Sequence, residues 1–208
     1  MSRSVGVIDF GAGNLFSVGR GLRAAGSDAA FITNPENVSA CGAILLPGVG
    51  AFGAGMAKMR ANGMDRAVIE FAATGKPILG VCLGMQFLMS RSLEFGNHDG
   101  LGLIPGVVER IPIRPGWPVP NIGWCSVEFA RNPAGTPFAL GKTGMDFYFV
   151  HSYHCVPTNG RDRMAITDYG GQQLTAIVSR DNIHGCQFHP EVSDQAGLDI
   201  YRLFEQAA

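Results

Sequence analysis

The chain has 208 residues, 46% of them hydrophobic and 16% charged, so a large core is available and intrinsic disorder is excluded. Its formal net charge of −1 gives no electrostatic reason to expect nucleic acid or an anionic membrane as partner. The longest apolar run, Pro77 to Met89, is too short for a bilayer and is broken by Gly80, Gly84 and Gln86, and the opening "MSRSVGVIDFGAG" lacks the apolar core of a secretory signal, so a cytoplasmic protein is expected.

With no internal repeat and no low-complexity linker, the expectation is one domain over residues 1–208. "VGVIDF" (Val5 to Phe10) reads as a buried strand. Leu15, Val18, Leu22 and Ala25 then recur at helical spacing, with Asn14 as N-cap. "AAFIT" (Ala29 to Thr33) and "GAILLPG" (Gly42 to Gly48) are the second and third strands. A helical region from Met56 to Ala73 follows, weakened by Gly63. "KPILGV" is the fourth strand, and Leu83 to Ser90 begins a helix. Strands apolar on both faces, alternating with helices, predict an α/β fold: an open, mainly parallel sheet with helices on both faces. In the second half, "GVVERIPI", "MDFYFVHSY", "RMAITDY" and "LTAIVSR" are strand-like and separated by turns, which predicts antiparallel additions at the sheet edge. The proline-rich Pro112 to Pro120 is a loop. "IHGCQFH" is a further strand, and Ala196, Ile200, Leu203 and Phe204 close the chain as an amphipathic helix with Ser193 as N-cap.

The five cysteines, Cys41, Cys82, Cys125, Cys155 and Cys186, are widely spaced and contain no C-x-x-C pair. Neither a metal site nor a disulfide framework is expected, and most should be small buried hydrophobes. Cys82 differs by its context, Gly80-Val81-Cys82-Leu83-Gly84. Strand, sharp turn with the reactive residue at its tip, then helix is the form of a nucleophile elbow. The position favours a thiolate, because it lies near a helix N-terminus. From the pentapeptide alone, a buried cysteine at a Gly-rich strand–helix junction is equally open.

A nucleophilic cysteine needs a base. Among the five histidines, His189 stands out in "QFHPEVS", just past the last strand. Pro190 stiffens the turn and Glu191 can orient the imidazole, the third-group role of a triad. His151 reads as a satisfied core histidine, and His98 and His184 as surface or loop residues. Asp9 and Glu94 are isolated acids without a partner in the sequence.

Taken together, "VIDFGAGNLFSV" (Val7 to Val18), "LPGVGAFGAGM" (Leu46 to Met56), "GVCLGMQFL" (Gly80 to Leu88), "GLGLIPG" (Gly100 to Gly106), "NIGW" (Asn121 to Trp124), "FVHSY" (Phe149 to Tyr153) and "GCQFHPEVS" (Gly185 to Ser193) resemble the class I, triad-type glutamine amidotransferases. Within that class the likeness is greatest to the glutaminase subunits of imidazole glycerol phosphate synthase, and it covers nearly the whole chain. The resemblance implies a Cys82–His189–Glu191 triad that hydrolyses glutamine to glutamate and ammonia. It needs no cofactor and no metal. It implies an oxyanion hole from the backbone N–H groups of Leu83 and Val49, the latter completed by a peptide flip. Gly48, Gly50, Gln86, Ser152 and Tyr153 would bind the substrate. The implied partner is a (βα)₈ cyclase subunit in a heterodimer, met through Asn14 and Trp124. That partner would use the ammonia to make imidazole glycerol phosphate and AICAR in histidine biosynthesis.

The chain departs from the family pattern at Asn121-Ile122-Gly123-Trp124-Cys125, where H-M-G-W-N is usual. It departs again at Val192 and Phe16, where basic residues are usual. These positions bear on the partner, so two alternatives stay open: a paralogue feeding ammonia to another synthase, such as one that amidinates surface sugars, and an inactive partner-binding scaffold.

Overall fold

The computed structural model describes residues 5–11, 13–140 and 144–208; Met1 to Ser4 of the opening stretch and Ala12 of the first family motif lie outside them. The first half alternates as the sequence predicts: β1 (Val5–Ile8), α1 (Leu15–Ala25), β2 (Ala30–Ile32), β3 (Ala43–Leu46), α2 (Phe52–Asn62), α3 (Met64–Ala73), β4 (Ile78–Val81) and α4 (Leu83–Phe87). β1, β3 and β4 are buried at every position, as strands covered on both faces must be. Asn14 caps α1, its side-chain oxygen accepting from the Ser17 N–H at 3.2 Å.

Two boundaries differ from the sequence reading. The helical region starts at Phe52, four residues earlier than Met56, and Gly63 breaks it in two by adopting a left-handed conformation (φ 77°). The helix after Cys82 stops at Phe87 and does not reach Ser90. The Leu101 and Ile104 N–H groups take the carbonyls of Phe87 and Leu88 at 2.8 and 2.9 Å, and the chain turns into β5 (Met89–Ser92).

The remaining elements are β6 (His98–Asp99), β7 (Ile104–Arg110), β8 (Asn121–Phe129), β9 (Met145–His151), β10 (Tyr153–Pro157), β11 (Arg163–Asp168), β12 (Gln173–Arg180), β13 (Ile183–Cys186) and α5 (Asp194–Gln206). The sequence reading recognised "NIGW" only as a motif and missed β8 as a strand. The cause is an inverted pattern: Asn121 is buried while Ile122 and Trp124 face outward, so the alternation of polar and apolar residues points the wrong way.

A nine-stranded sheet runs in the order β2-β1-β3-β4-β13-β12-β11-β8-β9. β2, β1, β3, β4 and β13 are mutually parallel, and β12, β11, β8 and β9 add to them in antiparallel fashion. A second sheet, β10-β7-β5-β6, stands beside it. Phe52, Met56, Phe71 and Phe87 from α2, α3 and α4 fill the core on one face. Val18, Leu22, Ile200 and Phe204 from α1 and α5 fill the other. The two strands that end nearest the candidate site, β4 and β13, are neighbours with Val81 opposite Cys186.

Candidate active site

Cys82 lies one residue beyond β4 with φ 54° and ψ −111°, a conformation non-glycine residues adopt only under strain, costing on the order of 1–3 kcal/mol. The surrounding glycines make the turn possible. A Cβ at Gly80 would lie 2.7 Å from the Gly84 oxygen, and one at Gly84 would overlap the Leu46 carbonyl. The Cys82 N–H donates to the Cys186 carbonyl at 2.8 Å, which holds the tip of the turn to the end of β13.

Three residues past that strand, His189 is fixed by its own backbone. Its N–H donates to the Tyr148 carbonyl at 2.9 Å, and its carbonyl accepts from the Ser193 hydroxyl at 2.6 Å. Ser193 stands at the N-cap of α5, as expected, but its side chain makes no cap bond. Its hydroxyl is spent on the His189 turn and on accepting the Tyr148 N–H at 3.0 Å. The sheet edge, β9, thus holds the histidine in place.

His189 Nδ1 bonds Glu191 Oε1 at 2.8 Å, and the other Glu191 oxygen accepts from the Tyr201 hydroxyl at 3.2 Å. The helix α1 comes close behind this pair at Gly21, where a Cβ would meet the Glu191 and Tyr201 side chains at 3.0 Å. His189 Nε2 is buried and makes no hydrogen bond, although both His189 and Cys82 line one cavity. Burial alone would lower the His189 pKa, but the adjacent Cys82 sulfur and the Glu191 carboxylate outweigh it and raise the value to about 10. The arrangement sets an imidazolium, oriented by a carboxylate, beside a cysteine sulfur, the groups that thiol nucleophile chemistry requires.

The cavity measures about 520 Å³ and is lined by Cys82, Leu83, His189, Glu191, Gln86, Val49, Gly50, Ser152 and Tyr153, a size suited to a small polar metabolite. Of the residues expected to bind substrate, Gly48 does not line it. That residue is buried beneath the elbow, where a Cβ would stand 3.0 Å from Leu83 Cβ and 3.2 Å from the Gly84 nitrogen. The lack of a side chain there allows this close packing.

Gln86 is buried. Its amide nitrogen donates to the Tyr153 carbonyl at 3.1 Å and to Gln187 Oε1 at 3.0 Å. His151 also lines the cavity. Its Nδ1 faces the Tyr153 carbonyl at 2.9 Å, an acceptor only, so Nδ1 carries the proton and Nε2 accepts from the Asn121 amide at 3.2 Å. Burial holds its pKa down at about 4, so it is a neutral, satisfied histidine. His184, expected at the surface, is instead buried. It bonds the Ser179 hydroxyl at 3.0 Å and meets the Phe138 ring edge-on.

Two residues around the site escape the sequence reading, Gln187 behind Cys82 and Glu94 in the cavity lining. Gln187 is fully buried and points its amide nitrogen at Cys82 Sγ, 3.7 Å away. The signal for it was a glutamine between Cys186 and Phe188 in an otherwise apolar strand end. Glu94 lines the cavity and accepts the Phe52 N–H at the start of α2 at 2.5 Å; no local pattern marks it.

Beside Tyr148, Val150 and Ser17 of the cavity lining, Trp124 is 50% exposed, Ile122 60% and Phe16 72%. Trp124 rests edge-on against Tyr148 at 6.0 Å, which puts the indole on the surface and not in the core. Asn14 belongs to the same lining. Among the described residues, no cluster of His, Cys, Asp or Glu could hold a metal ion, and no helix is long and apolar enough to cross a membrane.

The family profile described as "Glutamine amidotransferase class-I" matches residues 6–204. The chain is 44% identical over 200 residues, covering 96% of both chains, to the protein named "Imidazole glycerol phosphate synthase subunit HisH" of Methanothermobacter thermautotrophicus. It is 39% identical over 210 residues, covering 98% of this chain and 99% of the other, to "Imidazole glycerol phosphate synthase subunit HisH 1" of Legionella pneumophila (strain Lens). Among solved structures, "Structure of PurLQS from Thermotoga maritima" superposes with a TM-score of 0.74 at 19% identity, over 100% of this chain and 97% of that one. "Crystal structure of glutamine amidotransferase" gives 0.75 at 18%, over 98% and 99%. At those identities the two structures share the fold.

Proposed function

The chain belongs to the class-I glutamine amidotransferase family, and from that premise we propose that it is the glutaminase subunit of an imidazole glycerol phosphate synthase. It hydrolyses glutamine and passes the ammonia to a (βα)₈ cyclase subunit, which makes imidazole glycerol phosphate and AICAR. What supports this reading most is the likeness, over nearly the whole chain, to subunits of that synthase.

The chemistry follows from the geometry. The Cys82 thiolate attacks the side-chain amide carbon of glutamine. The tetrahedral oxyanion is met by the Leu83 N–H and by the Val49 N–H once its peptide turns inward; one such donor is worth on the order of 10²–10³ in rate. Val49 and Gly50 are exposed while Gly48 is packed under the elbow, so the outer peptides of this segment are free to reorient around a fixed end. The His189 imidazolium protonates the departing nitrogen, ammonia leaves, and a glutamyl thioester remains. Neutral His189 then takes a proton from water, the hydroxide attacks the thioester, the C–S bond breaks, and glutamate, thiolate and imidazolium result. Glu191 holds the ring throughout. Gln86, Ser152, Tyr153 and Gly50 hold the substrate, and the Glu94 carboxylate suits its ammonium group. Asn14, in the cavity lining, and Trp124, against Tyr148 of that lining, meet the partner where ammonia exits.

A second reading, the same glutaminase serving a different synthase, is favoured by one observation: Val192, in the cavity lining, and Phe16, next to Ser17 of that lining, expose apolar side chains. One experiment addresses both. Glutamate release is measured for the chain alone, with the cyclase subunit from the same organism, and with that subunit plus its acceptor substrate. Weak release alone and stimulation by orders of magnitude in the complex are expected. Brisk glutamine hydrolysis that the cyclase leaves unchanged would overturn the pathway while keeping the chemistry.

A further inference from the structure

The described bonds form a chain whose direction is fixed at one end. The Tyr153 carbonyl can only accept, so the Gln86 atom beside it, at 3.1 Å, is the amide nitrogen. That nitrogen also faces Gln187 at 3.0 Å. The Gln187 atom on that side must therefore be its oxygen, and its nitrogen must face Cys82 Sγ, at 3.7 Å. The two glutamines come from α4 and from the segment just past β13, and neither amide can turn over without setting donor against donor or leaving a buried group unpaired. Gln187 is fully buried, a placement that costs free energy unless the amide is put to use.

We infer that Gln187 is a positioning residue for the nucleophile: its amide N–H donates to the Cys82 sulfur, and Gln86, tied to the Tyr153 carbonyl, locks that amide in the donating orientation. A sulfur that accepts a hydrogen bond is favoured as thiolate over thiol. The bond also restrains the side chain of Cys82 from behind, where the residue lines the cavity. When the thioester forms, the sulfur loses its charge and the bond weakens. Gln187 therefore acts on the free nucleophile and on its regeneration, not on the oxyanion. The assignment rests on the glutaminase reading of the site but does not need glutamine turnover to be tested.

The test is alkylation of Cys82 by iodoacetamide as a function of pH. The thiolate displaces iodide to form a C–S bond, and peptide mass spectrometry follows Cys82 apart from the other cysteines. In Gln187→Met, which keeps the side-chain length and loses both polar ends, the pH midpoint should rise by about one unit or more. The plateau rate at high pH should change little. Gln187→Glu has the same shape, and its carboxylate beside the sulfur should raise the midpoint further. If Gln187→Met proves too unstable to assay, Gln187→Glu carries the test, and Gln86→Met, which unlocks the amide, should give a smaller rise in the same direction. An unchanged midpoint in a folded Gln187 variant would overturn the inference even if glutamine is still hydrolysed. A shifted midpoint in a protein that never releases glutamate would uphold it and refute the glutaminase reading instead.

Discussion

Gly84 and the Leu46 carbonyl are in direct contact: a Cβ on Gly84 would overlap that oxygen. The first turn of α4 is thereby pressed against the end of β3, and this contact sets where the turn carrying Cys82 can sit. Gly84→Ala must push the two apart. A cost of roughly 2–4 kcal/mol is expected for this overpacking, together with a loss of at least about 100-fold in glutamine hydrolysis from the displaced nucleophile. Thermal unfolding and glutamate release check the two effects; a stable, active variant would show that the elbow can shift freely.

Cys82→Ala should abolish glutamine hydrolysis and leave the fold intact, while ammonia-dependent activity of the assembled synthase survives. Alanine inherits the strained φ of 54°, whereas glycine does not. Relief of about 1–3 kcal/mol of strain outweighs the roughly 0.5–1 kcal/mol that glycine costs in chain entropy. Cys82→Gly should therefore melt no lower than Cys82→Ala. A clearly lower melting temperature for the glycine variant would mean the turn is unstrained.

His189→Asn should cost nearly as much activity as Cys82→Ala, because residues acting as a unit are not additive. Glu191→Gln should cost less and should leave a signature in pH. Against the lowering effect of burial, Cys82 and Glu191 raise His189 to about 10, so activity should decline as pH rises through that region and the imidazolium is lost. Removing the carboxylate lowers the His189 pKa, and the alkaline limb should move toward neutral. A limb unmoved in Glu191→Gln would deny the carboxylate its electrostatic part.

Trp124 is half exposed and contacts Tyr148 at the sheet edge, so its truncation removes little core. Exposed tryptophans at interfaces are frequent hot spots, and losing one often costs about 2 kcal/mol or more. Trp124→Ala should weaken cyclase binding at least about tenfold with little change in the melting temperature of the lone chain. A large stability loss with unchanged affinity of the folded fraction would remove Trp124 from the interface.

Burial pushes His151, His154 and His184 down to about 4. Each is therefore neutral in the folded protein where the unfolded chain, near 6.5, would already bind a proton. Their contribution is present above the unfolded value and is lost as pH falls from about 6.5 toward 4. Denaturant melts across that range should show stability dropping with acid. His184→Gln, outside the cavity lining, should flatten the slope. Stability that stays level down to pH 4.5 would mean these rings are protonated in the fold.

Much of the site was legible in the sequence because its determinants are local. The glycines that permit the Cys82 turn lie two residues either side of it, and the partner that orients His189 is two residues on; the chain brings these groups together whatever the rest of the fold does. The helix cap at Asn14 and the fully apolar strands were readable for the same reason. Gln187, Glu94, Asn121 and the hidden strand β8 were not. Their meaning comes from neighbours far along the chain: Gln86 lies 101 positions from Gln187, and His151 lies 30 from Asn121. A polar side chain in a buried position contradicts the local pattern until its distant partner is in place. Ser193 stands at the N-cap as its sequence position implies, but its hydroxyl is claimed by the His189 carbonyl, an arrangement that looks in one dimension like a helix cap. The sequence by itself determined the turn that carries Cys82 and the His189–Glu191 pair, because both are local geometry. Only the tertiary structure decided which buried amides face the sulfur, because a hydrogen bond's direction is settled by the acceptor at its far end.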